Sequence, residues 1–205
     1  MKYNFILFLA AIKFFFISCG TQQTNEIKNR PNILIIFTDD QRADALGVAQ
    51  NPYINTPNID GLAKNGVLFE NCYVMGGHHG AICAPSRAML LSGKSLFHVY
   101  DRLEGVETIP NYLSKNGYQT FATGKWHNGA ASFETNFQEA SKIMLGGMSD
   151  HFNVPLTDLD EYNKLNNAYN AGFSTDIFAE ATLDYLDRYQ ASKKEKPFFC
   201  YLAFT

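Results

Sequence analysis

The chain has 205 residues, 46% of them hydrophobic and 18% charged, which suffices for one domain with an apolar core. Seventeen Lys and Arg stand against 20 Asp and Glu, a formal net charge of −3. Nothing in that balance suggests a nucleic-acid binder, whose signature is a clustered basic face, although it leaves room for a local basic pocket that takes an anionic substrate.

In chain order, residues 1–19 read as an export signal. Met1-Lys2 gives a short positive start, Phe5 to Phe16 is apolar except for Lys13, and Ile17-Ser18-Cys19-Gly20 places small residues around a cysteine. The run is too short and interrupted to span a membrane comfortably. Ser18-Cys19-Gly20 resembles a bacterial lipoprotein cleavage site, at which Cys19 would be lipidated and attach the chain to a membrane. Phe16 and Lys13 depart from that pattern, and the alternative is a plain secretory signal with an incidental cysteine. Residues 20–30 are polar and read as a flexible tether. The expected location is therefore the periplasm or the outer membrane and cell surface.

From Pro31 the pattern is that of a folded domain, residues 31–205. The apolar run Ile33 to Phe37 predicts a strand buried on both faces, ending at Thr38-Asp39-Asp40-Gln41. Thr56-Pro57 opens a helix that should stop at Gly66, with Val67-Leu68-Phe69 extended after it. Thr108 opens another that closes at Gly117, before a strand from Tyr118 onward. Residues 128–164 are the least regular and predict an extended loop over the site. Ser174 or Thr175 can cap a helix whose buried face holds Ile177, Phe178, Ala181, Tyr185, Leu186 and Tyr189. Phe198 to Phe204 then reads as a buried central strand. Alternating strands and helices predict an α/β fold, a mostly parallel sheet with helices on both faces and its site beyond the carboxyl ends of the strands.

The four cysteines, Cys19, Cys72, Cys83 and Cys200, match no zinc or disulfide framework. Cys72 and Cys200 are expected to be small buried hydrophobes. Cys83 differs. Pro85 suits the first turn of a helix that Ala88-Met89-Leu90-Leu91 continues and Gly93 ends, so Cys83 would sit just before a helix N-terminus, where negative charge is favoured. Arg87, one turn on, adds a permanent cation.

The run Cys83-Ala84-Pro85-Ser86-Arg87-Ala88-Met89-Leu90-Leu91-Ser92-Gly93 is similar to the first signature of the type I, formylglycine-dependent sulfatases of the alkaline-phosphatase-like superfamily. Gly117 to Gly129, with Gly124-Lys125-Trp126-His127-Asn128, is similar to the second, and the strand ending in Asp39-Asp40 resembles the family's metal-binding start. The resemblance covers residues 31–205 and implies a sulfuric ester hydrolase. A formylglycine-generating enzyme would oxidise Cys83 to an aldehyde. In its hydrated form one hydroxyl attacks sulfur and expels the alcohol; the second loses its proton as sulfate leaves. Asp39, Asp40 and an oxygen of residue 83 would bind one calcium ion. Lys125 and His127 would contact the sulfate and the departing oxygen, and export makes a sulfated carbohydrate the expected substrate. Trp126 reads as packing. His78, His79 and the stretch Ser149, Asp150, His151 are weaker candidates, the last because the family often places a sulfate contact there.

Members of that family continue past a strand like Phe198 to Thr205 into a Pro-His motif and further Asp, Asn and Lys residues, none of which can be placed here. The chain is thus expected to be the N-terminal part of the catalytic domain, with half a calcium shell and little turnover on its own. Two alternatives stand beside the sulfatase reading: a truncated, inactive fragment, and a phosphonate or phosphate ester hydrolase of the same superfamily.

Overall fold

A computed structural model describes residues 30–80, 82–192 and 196–205; the predicted export signal, Cys19 and the tether up to residue 29 lie outside them. Among the described residues no helix is long and apolar enough to cross a membrane.

Four parallel strands form the main sheet. β1 is Ile33–Phe37, β2 Gln119–Lys125, β3 Glu139–Met144 and β6 Phe198–Ala203, in the order β1-β6-β2-β3. A small antiparallel pair, β4 (Val154–Leu156) and β5 (Tyr169–Ala171), sits outside this sheet. The helices are α1 (Pro57–Asn65), α2 (Cys83–Ser92), α3 (Ile109–Lys115), α4 (Ala130–Glu134) and α5 (Ser174–Ala191). Because β6 pairs with β1 on one side and β2 on the other, all six of its residues are buried, as a central strand of a parallel sheet requires.

Helices cover both faces of that strand. On one face Ala88 and Leu91 of α2 and Phe133 of α4 join Phe199, Tyr201 and Ala203 of β6 in the main core. On the other, Phe178 and Tyr185 of α5 pack near Phe198, Cys200 and Leu202, and Tyr185 stacks on Phe121 at 4.3 Å between ring centroids. Cys200 is fully buried and its thiol is pushed up to about 12 by burial. Gly124 sits where β2 shifts register. Its φ is 93°, and a Cβ there would collide with the carbonyl group of Ala203, 2.8 Å from the carbon, so only glycine lets β2 approach β6 at this point.

Several local expectations are corrected. β1 is an edge strand, not one buried on both faces: Ile33, Ile35 and Phe37 pack inward, while Leu34 and Ile36 are 43% and 52% exposed. Residues 128–164 are not a long loop; they contain α4, β3 and β4, and β3 pairs in parallel with β2. Thr56 does not cap α1, since its hydroxyl accepts from Gly47 N–H and donates to Asp60, both at 2.8 Å. Ser174 lies inside the first turn of α5, with Phe173 at the cap position. Val67-Leu68-Phe69 belongs to no strand, and Cys72 is exposed. Thr108 does cap α3, accepting from Asn111 N–H at 3.5 Å, and Gly93 ends α2 in the left-handed conformation.

Candidate active site

All four strands of the sheet point the same way, so their carboxyl ends share one edge. A cleft of about 900 Å³ opens there. Residues at or just beyond the end of each strand line it: Asp39 and Asp40 after β1, Lys125 and His127 at the end of β2, Gly147, Ser149 and His151 after β3, and Thr205 after β6. This is where open parallel sheets place their sites.

Cys83 enters as the first residue of α2, with Ile82 at the cap position. It therefore stands one residue further into the helix than the sequence suggests. Its Sγ lies 3.0 Å from Nδ1 of His127. His127 turns off the end of β2 with φ at 61°, a left-handed conformation uncommon outside glycine and held here by its surroundings. Burial pushes its imidazole below the ordinary histidine value, and the cations Lys125 and Arg87 push the same way, against the weaker pull of Asp39 and Asp101.

Asp39 is the electrostatic hub. Its carboxylate takes an ion pair from Lys125 Nζ and a longer one from Arg87, at 3.4 Å. Lys125 is 2% exposed and Arg87 fully buried. The Arg87 guanidinium also donates to the Cys83 carbonyl at 3.2 Å and lies 5.0 Å over the Phe37 ring. Two buried cations share one carboxylate, which leaves a net positive charge in that trio. Arg87 Nε and Nη2 are buried without a hydrogen bond, a costly arrangement unless an acceptor comes to them. Burial pushes the phenol of Tyr201, on β6, up to about 12, with Arg87 pulling it down.

The sequence-derived residues Asp39, Asp40, Cys83, Lys125 and His127 line the same cleft, and Arg87 pairs with Asp39 from just behind it. His78 and His79 do not line it. Asp150 is absent from its walls too, whereas Ser149 and His151 do line the cleft. Trp126 is packing: it is 1% exposed and stands edge-on to Phe133 and Phe137. Sequence reasoning missed the role of Asn128, which is fully buried and donates to the Ala84 carbonyl at 2.9 Å and to that of Asp101. It ties the end of β2 to the head of α2 and thereby sets His127 against Cys83.

Asp39 and Asp40 are hard oxygen donors of the kind calcium takes, and they fit as the start of such a site. Among the described residues no group of three or more His, Cys, Asp or Glu side chains is gathered as a metal cage, while calcium takes about 6–8 oxygens.

Fold and cleft together define an α/β domain of the open parallel-sheet kind, with a cysteine set at a helix head beside a cluster of buried cations. The chain belongs to the sulfatase family, whose model matches residues 31–205. It is 32% identical over 188 residues to the N-acetylglucosamine-6-O-sulfatase of Bacteroides thetaiotaomicron, covering 88% of this chain and 31% of that one. Human iduronate 2-sulfatase is 36% identical over 124 residues, 56% of this chain and 22% of the relative. A solved structure of a protein in complex with its substrate D-glucosamine-2-N,6-O-disulfate superposes with a TM-score of 0.70 at 29% identity, over 86% of this chain and 34% of that one. The chain thus spans a third or less of the curated relatives named here.

Proposed function

We propose that this chain carries the nucleophile and half of the anion site of a carbohydrate sulfatase, with Cys83 converted to formylglycine. The observation that carries the reading is the 3.0 Å approach of Cys83 Sγ to His127 Nδ1 beside the Lys125–Asp39–Arg87 cluster. Sγ stands where the oxygen of the modified side chain would be. The modified residue supplies a nucleophile that can release sulfate by regenerating its own carbonyl.

The chain's own residues do the rest. Lys125 and Arg87 hold the surplus positive charge that offsets a sulfate group. The N-terminus of α2 adds its dipole. Asp39 keeps the two cations apart and aligned. His127, kept neutral in the free cleft by burial and by those cations, gains proton affinity when an anion enters, because the anion opposes the same repulsion. It is then placed to donate a proton to the departing sugar oxygen. Asp39 and Asp40 would hold a calcium ion, whose charge would steady a sulfate oxygen. The glucosamine-type relatives support a sulfated sugar as substrate.

The test is co-expression with a formylglycine-generating enzyme. Mass spectrometry should find at position 83 the mass loss of a thiol turned aldehyde, and sulfate release from N-acetylglucosamine 6-sulfate by the gene product should vanish in Cys83→Ala. No aldehyde at 83, or sulfate release untouched by Cys83→Ala, overturns the proposal.

A further inference from the structure

Gly147 lies in the turn after β3 and lines the same cleft as Cys83. A Cβ added to it would fall 2.6 Å from Nε2 and 3.1 Å from Nδ1 of His127, and closer still to Cε1. No carbon stays that close to a ring, so one of the two would have to move. The φ of Gly147 is not in the left-handed region, so its backbone accepts any residue and only the bulk of a side chain is at issue. The neighbour Gly146 shows the contrast: a Cβ there meets nothing nearer than the Met148 carbonyl oxygen at 3.8 Å, an ordinary contact.

The ring so confined is the one that reaches Cys83. Its Nδ1 meets Sγ at 3.0 Å, and the turn after β3 lies against the ring at Gly147. That turn is itself fixed. Trp126 N–H, next to His127, donates to the Met144 carbonyl at 2.8 Å, and Ser174 N–H donates to the His151 carbonyl at 2.8 Å. Anchors at 144 and 151 leave the turn little freedom to retreat, so a side chain at 147 would displace the imidazole.

We infer that Gly147 is a positioning residue: its missing side chain lets the turn after β3 close on His127 and hold the imidazole against residue 83. The inference rests on the proposed function, in which His127 stands beside residue 83 in the reacting site. It predicts that position 147 works only through the His127 ring.

A double-mutant cycle on the unmodified protein tests this, with wild type, Gly147→Ala, His127→Ala and the double variant, and Gly146→Ala as control. The readouts are the thermal midpoint and the rate at which iodoacetamide alkylates Cys83 at fixed pH, resolved by peptide mass spectrometry. Exposed Cys72 reports general reactivity. His127→Ala and Gly147→Ala are each expected to slow Cys83 alkylation by about three- to tenfold, since either removes the imidazole hydrogen bond to Sγ. Gly147→Ala should also lower the midpoint. In the His127→Ala background it should do neither, because the ring it strikes is gone. Gly146→Ala and the Cys72 rate should not change.

Additive effects, or Cys83 alkylation untouched by Gly147→Ala, overturn the inference alone. Cys83 alkylation untouched by His127→Ala overturns the reading of His127 and the inference with it. If Gly147→Ala does not fold, the double variant must; its failure also overturns the inference.

Discussion

The two flanks of the sheet differ in what covers them. On the β2–β3 flank, Phe121 and Ile143 are essentially inaccessible, with Tyr185 of α5 packed on Phe121 and Phe133 of α4 in the same core as Ile143. On the β1 flank, the outer face of β1 and the whole of α1 bury nothing fully. Leu62 is 68% exposed and Phe69 77%. Hydrophobicity along the chain thus marks which residues can be buried; the number of neighbouring elements decides which are. The cleft lies on the seam. Asp39 and Asp40 come from the open flank, Lys125 and His127 from the packed one, and Cys83 leads from the open stretch directly into the core through Ala88 and Leu91.

Substitutions can break or sharpen that contrast. The severest is Gly124→Ala, which forces a side chain into the Ala203 carbonyl at a φ of 93°; it should leave little folded protein by circular dichroism. Phe199→Ala, in the packed core, should cost about 3–5 kcal/mol in urea unfolding. Asp39→Ala, on the seam, leaves Lys125 and Arg87 buried with no carboxylate between them, and should cost about 3 kcal/mol. Added sulfate should restore part of that loss, raising its melting point more than that of wild type, because the anion replaces the missing charge. Phe69→Ser, on the open flank, should change stability by no more than about 0.5 kcal/mol. If it costs as much as Phe199→Ala, the two flanks do not differ as described.

The same contrast explains which elements are legible in the sequence. β6 is legible because a strand flanked on both sides is apolar throughout, and the Cys83 and Gly124–His127 segments are because their chemistry is local in sequence. β3 is not. Glu139-Ala-Ser-Lys-Ile-Met pairs with β2 on one edge and meets an isolated bridge to Thr157 on the other, and its polar residues mask the inward Ala140, Ile143 and Met144. For β1 the sequence suggests too many neighbours, because an apolar run does not say which of its faces will be covered. Cys72 misleads for the same reason. Asn128 and Gly147 have no signal of their own: one acts through a hydrogen bond to Ala84 across 44 positions, the other through a side chain it lacks. The pair Gly146-Gly147 in the sequence is the only hint of a close approach.

The parallel pairing of β1 has a consequence in time. Its partner among the described strands is β6, and Asn32 meets Phe198 across 166 positions. On a ribosome adding about 5–20 residues per second, the first strand waits roughly 10–30 s for its neighbour. Until then Asp39 has no fixed place beside Lys125 and Arg87. From its synthesis to the end of that interval the Cys83 segment is a nascent peptide, still open to any enzyme that reads a short stretch of chain.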